Sequence, residues 1–186
     1  MQFNLLNILI IAVVFVLLWL VYVYNRLITL KNRVREAASD IDVQSKRRFD
    51  LIPNLVETVK GYMSHEKTVL ENITKARSAI LEAGEDIHKK AEAENMISGA
   101  LKTLFAVSEN YPQLKANENF LKLQDELSDT ENKIQAARRF YNANVRDFNI
   151  AIQTFPTNLI AKMFGFSAFE FFEAENEERE AVQVSF

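Results

Sequence analysis

LLNILIIAVVFVLLWLVYVYNRLITLKNRVREAASDI, residues 5–41, decides how this chain folds. Residues 5–24 are apolar apart from Asn7, and no charged side chain occurs before Arg26. At about 1.5 Å rise per residue, a helix of roughly 20 such residues crosses the hydrocarbon core of a bilayer. The span is expected to start at Leu5. Trp19, Tyr22 and Tyr24 stand where an aromatic belt anchors such a helix, with the basic stop of Arg26, Lys31, Arg33 and Arg35 just beyond. A signal peptide would open on basic residues, carry a shorter apolar stretch and end in a small-x-small cleavage site, and the stretch has none of these. It is therefore read as a retained anchor. Lys and Arg are biased toward the cytoplasmic flank of a span, so a short outer N-terminus and a cytoplasmic body are expected.

The rest of the chain reads as helix. Only four Gly and three Pro punctuate 186 residues, and apolar residues recur at steps of three and four. Leu27, Leu30, Val34, Ala37 and Ile41 form a first seam that continues the membrane helix. The pattern restarts with Phe49, Ile52, Val56, Val59 and Met63. Pro53 lies inside that stretch, removing a backbone donor and disfavouring helical geometry at Ile52, so a kink or break is expected around residues 50–53. Gly61 offers a second bend. Val69, Ile73, Ala76, Ile80 and Ala83 form the next seam, and Gly84 is suited to the left-handed turn that closes a helix. Asp86 is the expected cap of a third helix through Ile97, Ala100, Leu104 and Val107, ending near Tyr111 and Pro112. Asn117 is the expected cap of the longest helix, whose seam runs from Phe120 to Phe155 and includes Leu127, Ile134, Tyr141, Val145 and Phe148. A stripe of that length needs lengthwise partners.

The expected fold class is all-α: a single N-terminal transmembrane helix continuing into an elongated antiparallel, four-helix-bundle-like body. The expected divisions are an anchor over residues 1–25, a long-helix bundle over 26–155, an aromatic-rich short helix or cap over 156–172, and an acidic tail over 173–186.

Several stretches resemble the LemA family. They are Tyr24, Asn25, Arg26 and Leu27; the block from Arg48 through Asp50, Pro53 and Asn54 to Val56, followed by Lys60, Gly61 and Tyr62; and the segment from Tyr111 and Pro112 to Asn117. Ala137, Arg138, Arg139, Phe140, Tyr141 and Asn142, then Asn144, Phe148, Asn149, Phe155 and Pro156, complete the resemblance. It implies a bacterial-type membrane protein with one N-terminal span, a cytoplasmic helical bundle and no catalytic residues to carry over. A magnetosome-associated branch of that family is linked to membrane invagination, which brings membrane shaping into consideration.

Chemical sites are scarce in the sequence. There is no cysteine and no nucleophile elbow or phosphate loop. Glu85 and His88 have the i, i+3 spacing of a bundle metal ligand pair, but His65 has Tyr62 three residues before it, so the second pair is missing. No cofactor or metal is expected. The net charge of −3 and scattered basic pairs leave no footprint for nucleic acid. Asn72, Ile73 and Thr74 match a glycosylation sequon, though mid-helix in a cytoplasmic body it is read as structural.

The arginine pairs Arg47, Arg48 and Arg138, Arg139 have a bland reading as a solvated face. The sharper reading turns one arginine of each pair inward to meet Asp50 or Asp147 and set the bundle register. Asn54, Asn142, Asn144 and Asn149 either face water or form a polar layer between helices or subunits. The aromatic stretch Phe164, Phe166, Phe169, Phe171 and Phe172 either caps the bundle or makes a subunit contact, or lies on the membrane. The lone Lys162 and the acidic run after Glu170 favour the first.

The function expected from these features is a non-enzymatic membrane scaffold in the bacterial plasma membrane, self-associating as a homo-oligomer and organising the bilayer. The alternative is a membrane-tethered adaptor presenting the bundle to a protein partner.

Overall fold

A computed structural model of the chain describes residues 5–84 and 86–172. Six helices run in order: α1 Leu5–Lys60, α2 Lys67–Glu82, α3 Ile87–Ser108, α4 Pro112–Lys115, α5 Glu118–Gln153 and α6 Thr157–Met163. No strand occurs among the described residues, and the chain is a helical bundle with a long apolar N-terminal helix. The described residues fall into two compact units. One lies within Met1–Ala38 and Phe140–Glu170, the other within Ser39–Arg139 and Phe171–Phe186.

The second unit is built from the C-terminal part of α1, then α2, α3, α4 and the N-terminal part of α5. Cross-helix pairs give its register. Asp42 meets Lys90 and Arg48 meets Glu94, so α3 runs parallel to α1. Arg48 meets Glu131 while Tyr62 meets Asn117, so α5 runs antiparallel to α1. The Arg77 guanidinium, 3.9 Å from the Phe49 ring centroid, brings α2 back along α1 after the turn at residues 61–66. The arrangement is up, down, up, down. Its core holds Ile52, Leu55, Val59, Met63, Ile73, Ala76, Ile97, Leu101, Leu104, Leu114, Phe120 and Leu127.

Of the kink or break expected at residues 50–53, the break does not occur, because α1 passes through Pro53 as one helix. The balance of energies explains this. An interior proline costs about 3 kcal/mol, whereas Ile52 and Leu55 are 1% and 0% exposed. Each such buried side chain contributes about 1.5–3 kcal/mol, and both would leave the core if the helix stopped. The Pro53 ring faces outward. The helix ends at Lys60, before Gly61, with Tyr62 and Met63 both donating to the Val59 carbonyl.

Gly84 adopts φ +57° and closes α2. The Asp86 carboxylate accepts from the backbone N–H groups of His88 and Lys89, capping α3 as expected. Those bonds, Lys89 foremost, hold its pKa below the ordinary carboxylate value. α3 stops at Ser108, short of Tyr111, and α4 then places Leu114 in the core. Asn117 accepts from the N–H groups of Asn119 and Phe120 and caps α5.

The first unit joins the N-terminal part of α1 to the end of α5 and to α6. Val23, Leu27, Ile160 and Ala161 form its core, with Trp19, Leu20, Ala151, Ile152 and Phe166 packed against them. α1 is long and apolar enough to cross a membrane, with a mean hydropathy of 2.9 over its most apolar window. Only 6% of that apolar stretch is buried, so α1 meets the unit's core through Val23 and Leu27 and leaves the stretch itself exposed.

Candidate functional site

Arg48 is the largest fully buried side chain among the described residues, at 0% exposure. Its place follows from spacing: Ile41, Ser45, Arg48, Ile52 and Leu55 are all buried on one face of α1. A lone guanidinium there would be prohibitive without partners, and the neighbouring helices supply them. Its Nη2 donates to the carboxylate and, at 3.2 Å, to the backbone carbonyl of Glu94. Its Nη1 donates to the Glu131 carboxylate and, at 2.9 Å, to the Ser98 hydroxyl. Ser98 lies 3.0 Å from the Glu94 carbonyl and 2.9 Å from Glu131 Oε2, either of which can accept its proton. Gln135 donates to the other Glu131 oxygen at 3.1 Å. The cluster ties α1, α3 and α5 together.

The acidic partners correct the sequence reading. Arg48 meets neither Asp50 nor Asp147. Asp50 is exposed and paired with Lys46, one turn earlier on α1, while Asp147 is exposed and paired with Arg146. Asp50 lies two positions from Arg48, on the other side of the helix. In the second pair Arg138 is the inward member, 8% exposed, and Arg139 is exposed. Arg138 donates to Asn95 Oδ1 at 2.9 Å, and its guanidinium lies 4.7 Å from the Phe172 ring centroid.

Glu94, Ser98 and Glu131 were missing from the candidates, yet a signal existed. Ala91, Glu94, Ile97, Leu101 and Leu104 share one buried stripe of α3, so Glu94 is a charge at an apolar position. On the surface, Asp129 is held below the ordinary carboxylate range mainly by its hydrogen bond from Lys133, with Arg47 adding to it.

The asparagines divide. Asn54 is exposed, Asn142 and Asn144 are half-buried, and the Asn144 amide donates to the Phe140 carbonyl within its own helix. Asn149 instead clasps the C-terminal segment, donating to the Phe169 carbonyl at 2.8 Å and accepting from the Phe169 N–H at 3.0 Å. Tyr141, 4% exposed, donates its hydroxyl to the Glu170 carbonyl at 3.0 Å. Burial, and then the Glu170 charge, raise the pKa of that phenol. Phe148 packs edge-on to Phe166 and Phe169.

In the anchor, Leu5 and Tyr22 are exposed, as is Arg26. Trp19 is half-buried, and Tyr24 is half-buried with its ring 4.8 Å from that of Phe164.

The one hydroxyl–carboxylate contact in the Arg48 cluster is Ser98 with Glu131 Oε2, and that oxygen and the hydroxyl are both already bonded by Arg48 Nη1, which makes the carboxylate a poor base. Among the described residues no group of three or more His, Cys, Asp or Glu is placed to hold a metal ion, and Glu85 lies outside those residues. A cleft of about 390 Å³ opens beside Glu94, walled by Ile41, Phe49 and Ile80. The charged side chains lining it are already engaged, Asp42 with Lys90, Lys46 with Asp50 and Glu94 with Arg48.

Residues 37–186 match the sequence profile of the LemA family. The chain is 31% identical over 161 residues to Protein LemA of Metamycoplasma hominis, a match covering 87% of this chain and 74% of that protein. It is 24% identical over 174 residues to Magnetosome protein MamQ of Magnetospirillum gryphiswaldense, covering 80% of this chain. It is also 25% identical over 175 residues to Magnetosome protein MamQ 1 of Paramagnetospirillum magneticum, covering 81% of this chain. This chain spans 64% of the length of each magnetosome relative.

Proposed function

The chain belongs to the LemA family, and from that premise we propose that it is a non-enzymatic membrane scaffold whose anchored bundles self-associate and organise the bilayer around them. The observation that carries this reading is α1, one helix of 56 residues. Its early apolar side chains, including Leu9, Phe15 and Leu18, are more than half exposed, and the same helix supplies Ile52, Leu55 and Val59 to the bundle core. Exposed apolar groups of that density are stable in lipid rather than in water. The helix inserts with its N-terminus outside and its basic flank in the cytoplasm, in a bacterial inner membrane.

Three further observations support a scaffold. The buried charges are consumed in cross-helix bonds, which suits a fixed register better than a reaction centre. Val43, Phe140 and Ile150 leave large apolar groups on the surfaces of α1 and α5, where a second copy can cover them. The likeness to magnetosome proteins brings shaping of the membrane into the proposal.

Crosslinking of the full chain in cells, followed by mass spectrometry, tests self-association. In a Val43→Cys variant of this cysteine-free chain, links between the two copies of position 43 are expected to dominate. A single heterologous protein captured in stoichiometric amount, with self-links absent, would replace the scaffold with a tethered adaptor.

A further inference from the structure

We infer that α6 and the turn before it form an interfacial foot, with Phe155, Leu159, Met163 and Phe164 seated at the boundary between headgroups and acyl chains. The inference rests on the anchoring of α1 proposed above and adds a second point of contact with the lipid. Depth is set by packing within the first unit. Ile160 and Ala161 are buried against Val23 and Leu27, with Trp19 and Leu20 beside them. These four α1 residues straddle Tyr24, where the apolar run ends, so α6 stands where hydrocarbon gives way to headgroups.

At that level the outer side of α6 is apolar and open. Phe155 is 76% exposed, Leu159 58%, Met163 65% and Phe164 53%. Leu159 and Met163 lie one turn apart and share a face, away from Ile160 and Ala161. The α1 residues around Trp19 and Leu20, among them Leu18 and Val21, are exposed and apolar as well, so the face continues the lipid-facing surface of the span, which favours lipid as the occupant.

Charge agrees. Between Thr154 and Phe169 the sole ionisable side chain is Lys162, a cation whose stem can reach up to anionic headgroups. Glu170, the first acidic residue after Lys162, stands away from this seat. Phe169 is held at Asn149 and Glu170 at Tyr141, about 15 Å along α5 from Ala151.

Tryptophan emission in vesicles of phosphatidylcholine and phosphatidylglycerol, with and without brominated acyl chains, tests the inference on the full chain. Trp19 is the sole tryptophan. In a Trp19→Phe background, Leu159→Trp and Met163→Trp are each expected to lose about half their emission to the bromines. Phe140→Trp, about 16 Å along α5 from Ala151, is expected to lose little. Loss at Trp19 of the unsubstituted chain with none in either α6 variant overturns the foot and leaves the anchor standing. No loss at Trp19 overturns the anchor itself. Absence of loss in the Leu159→Trp variant, together with intersubunit crosslinking of Leu159→Cys, assigns the face to a second copy and overturns the lipid seat.

Discussion

Arg48 shows what a single position can and cannot reveal. Its spacing from Ile52 and Leu55 put an inward arginine within reach of sequence reasoning, but its partners were not. Glu94 lies 46 residues away and Glu131 83 residues away, and which residue of one helix faces which of another is set by cross-helix register that a one-helix period does not encode. Arg48→Met is expected to destabilise the protein by about 3–5 kcal/mol, because it strands a buried carboxylate. Adding Glu94→Leu should recover much of that loss, since replacing a whole buried pair by apolar groups is often close to neutral. Arg139→Met, on the exposed member of the second pair, should leave melting unchanged. Thermal unfolding followed by circular dichroism in detergent checks all three. Equal losses for Arg48→Met alone and with Glu94→Leu would refute the pairing.

Helix ends were the most legible elements, because Gly84 acts through its own backbone and the Asp86 and Asn117 side chains accept from N–H groups within three residues. The break expected at Pro53 fails for the opposite reason: the local cost of the proline is visible in sequence, while the burial of Ile52 and Leu55 that offsets it is not. The Asp86 cap carries a pH signature. Its folded pKa is depressed, so its contribution is present above the ordinary carboxylate range and is lost as pH falls through the folded value. Asp86→Ala is therefore expected to melt below the unsubstituted chain at neutral pH, with the gap closing in acid. A gap that stays constant from neutral pH to strong acid would contradict the cap. The C-terminal segment depends on Asn149 in a similar local way. Asn149→Ala removes two hydrogen bonds, each worth about 1 kcal/mol net, and is expected to speed chymotryptic cleavage at Phe169. Unchanged cleavage would show that the aromatic packing around Phe148 holds the segment without the clasp.

At the scale of the whole molecule, the all-α class and the long apolar first helix were readable from residues 5–41, since period and length need only one chain. Residues 173–186, the expected acidic tail, lie outside the described structure. The central claim is that anchored bundles associate with one another, and the mass of the complex extracted from membranes tests it most directly. Extraction of the full chain into native nanodiscs or mild detergent, at its natural expression level, should give a self-association product several times the 21.4 kDa of one chain. A monodisperse particle containing a single copy would contradict the account.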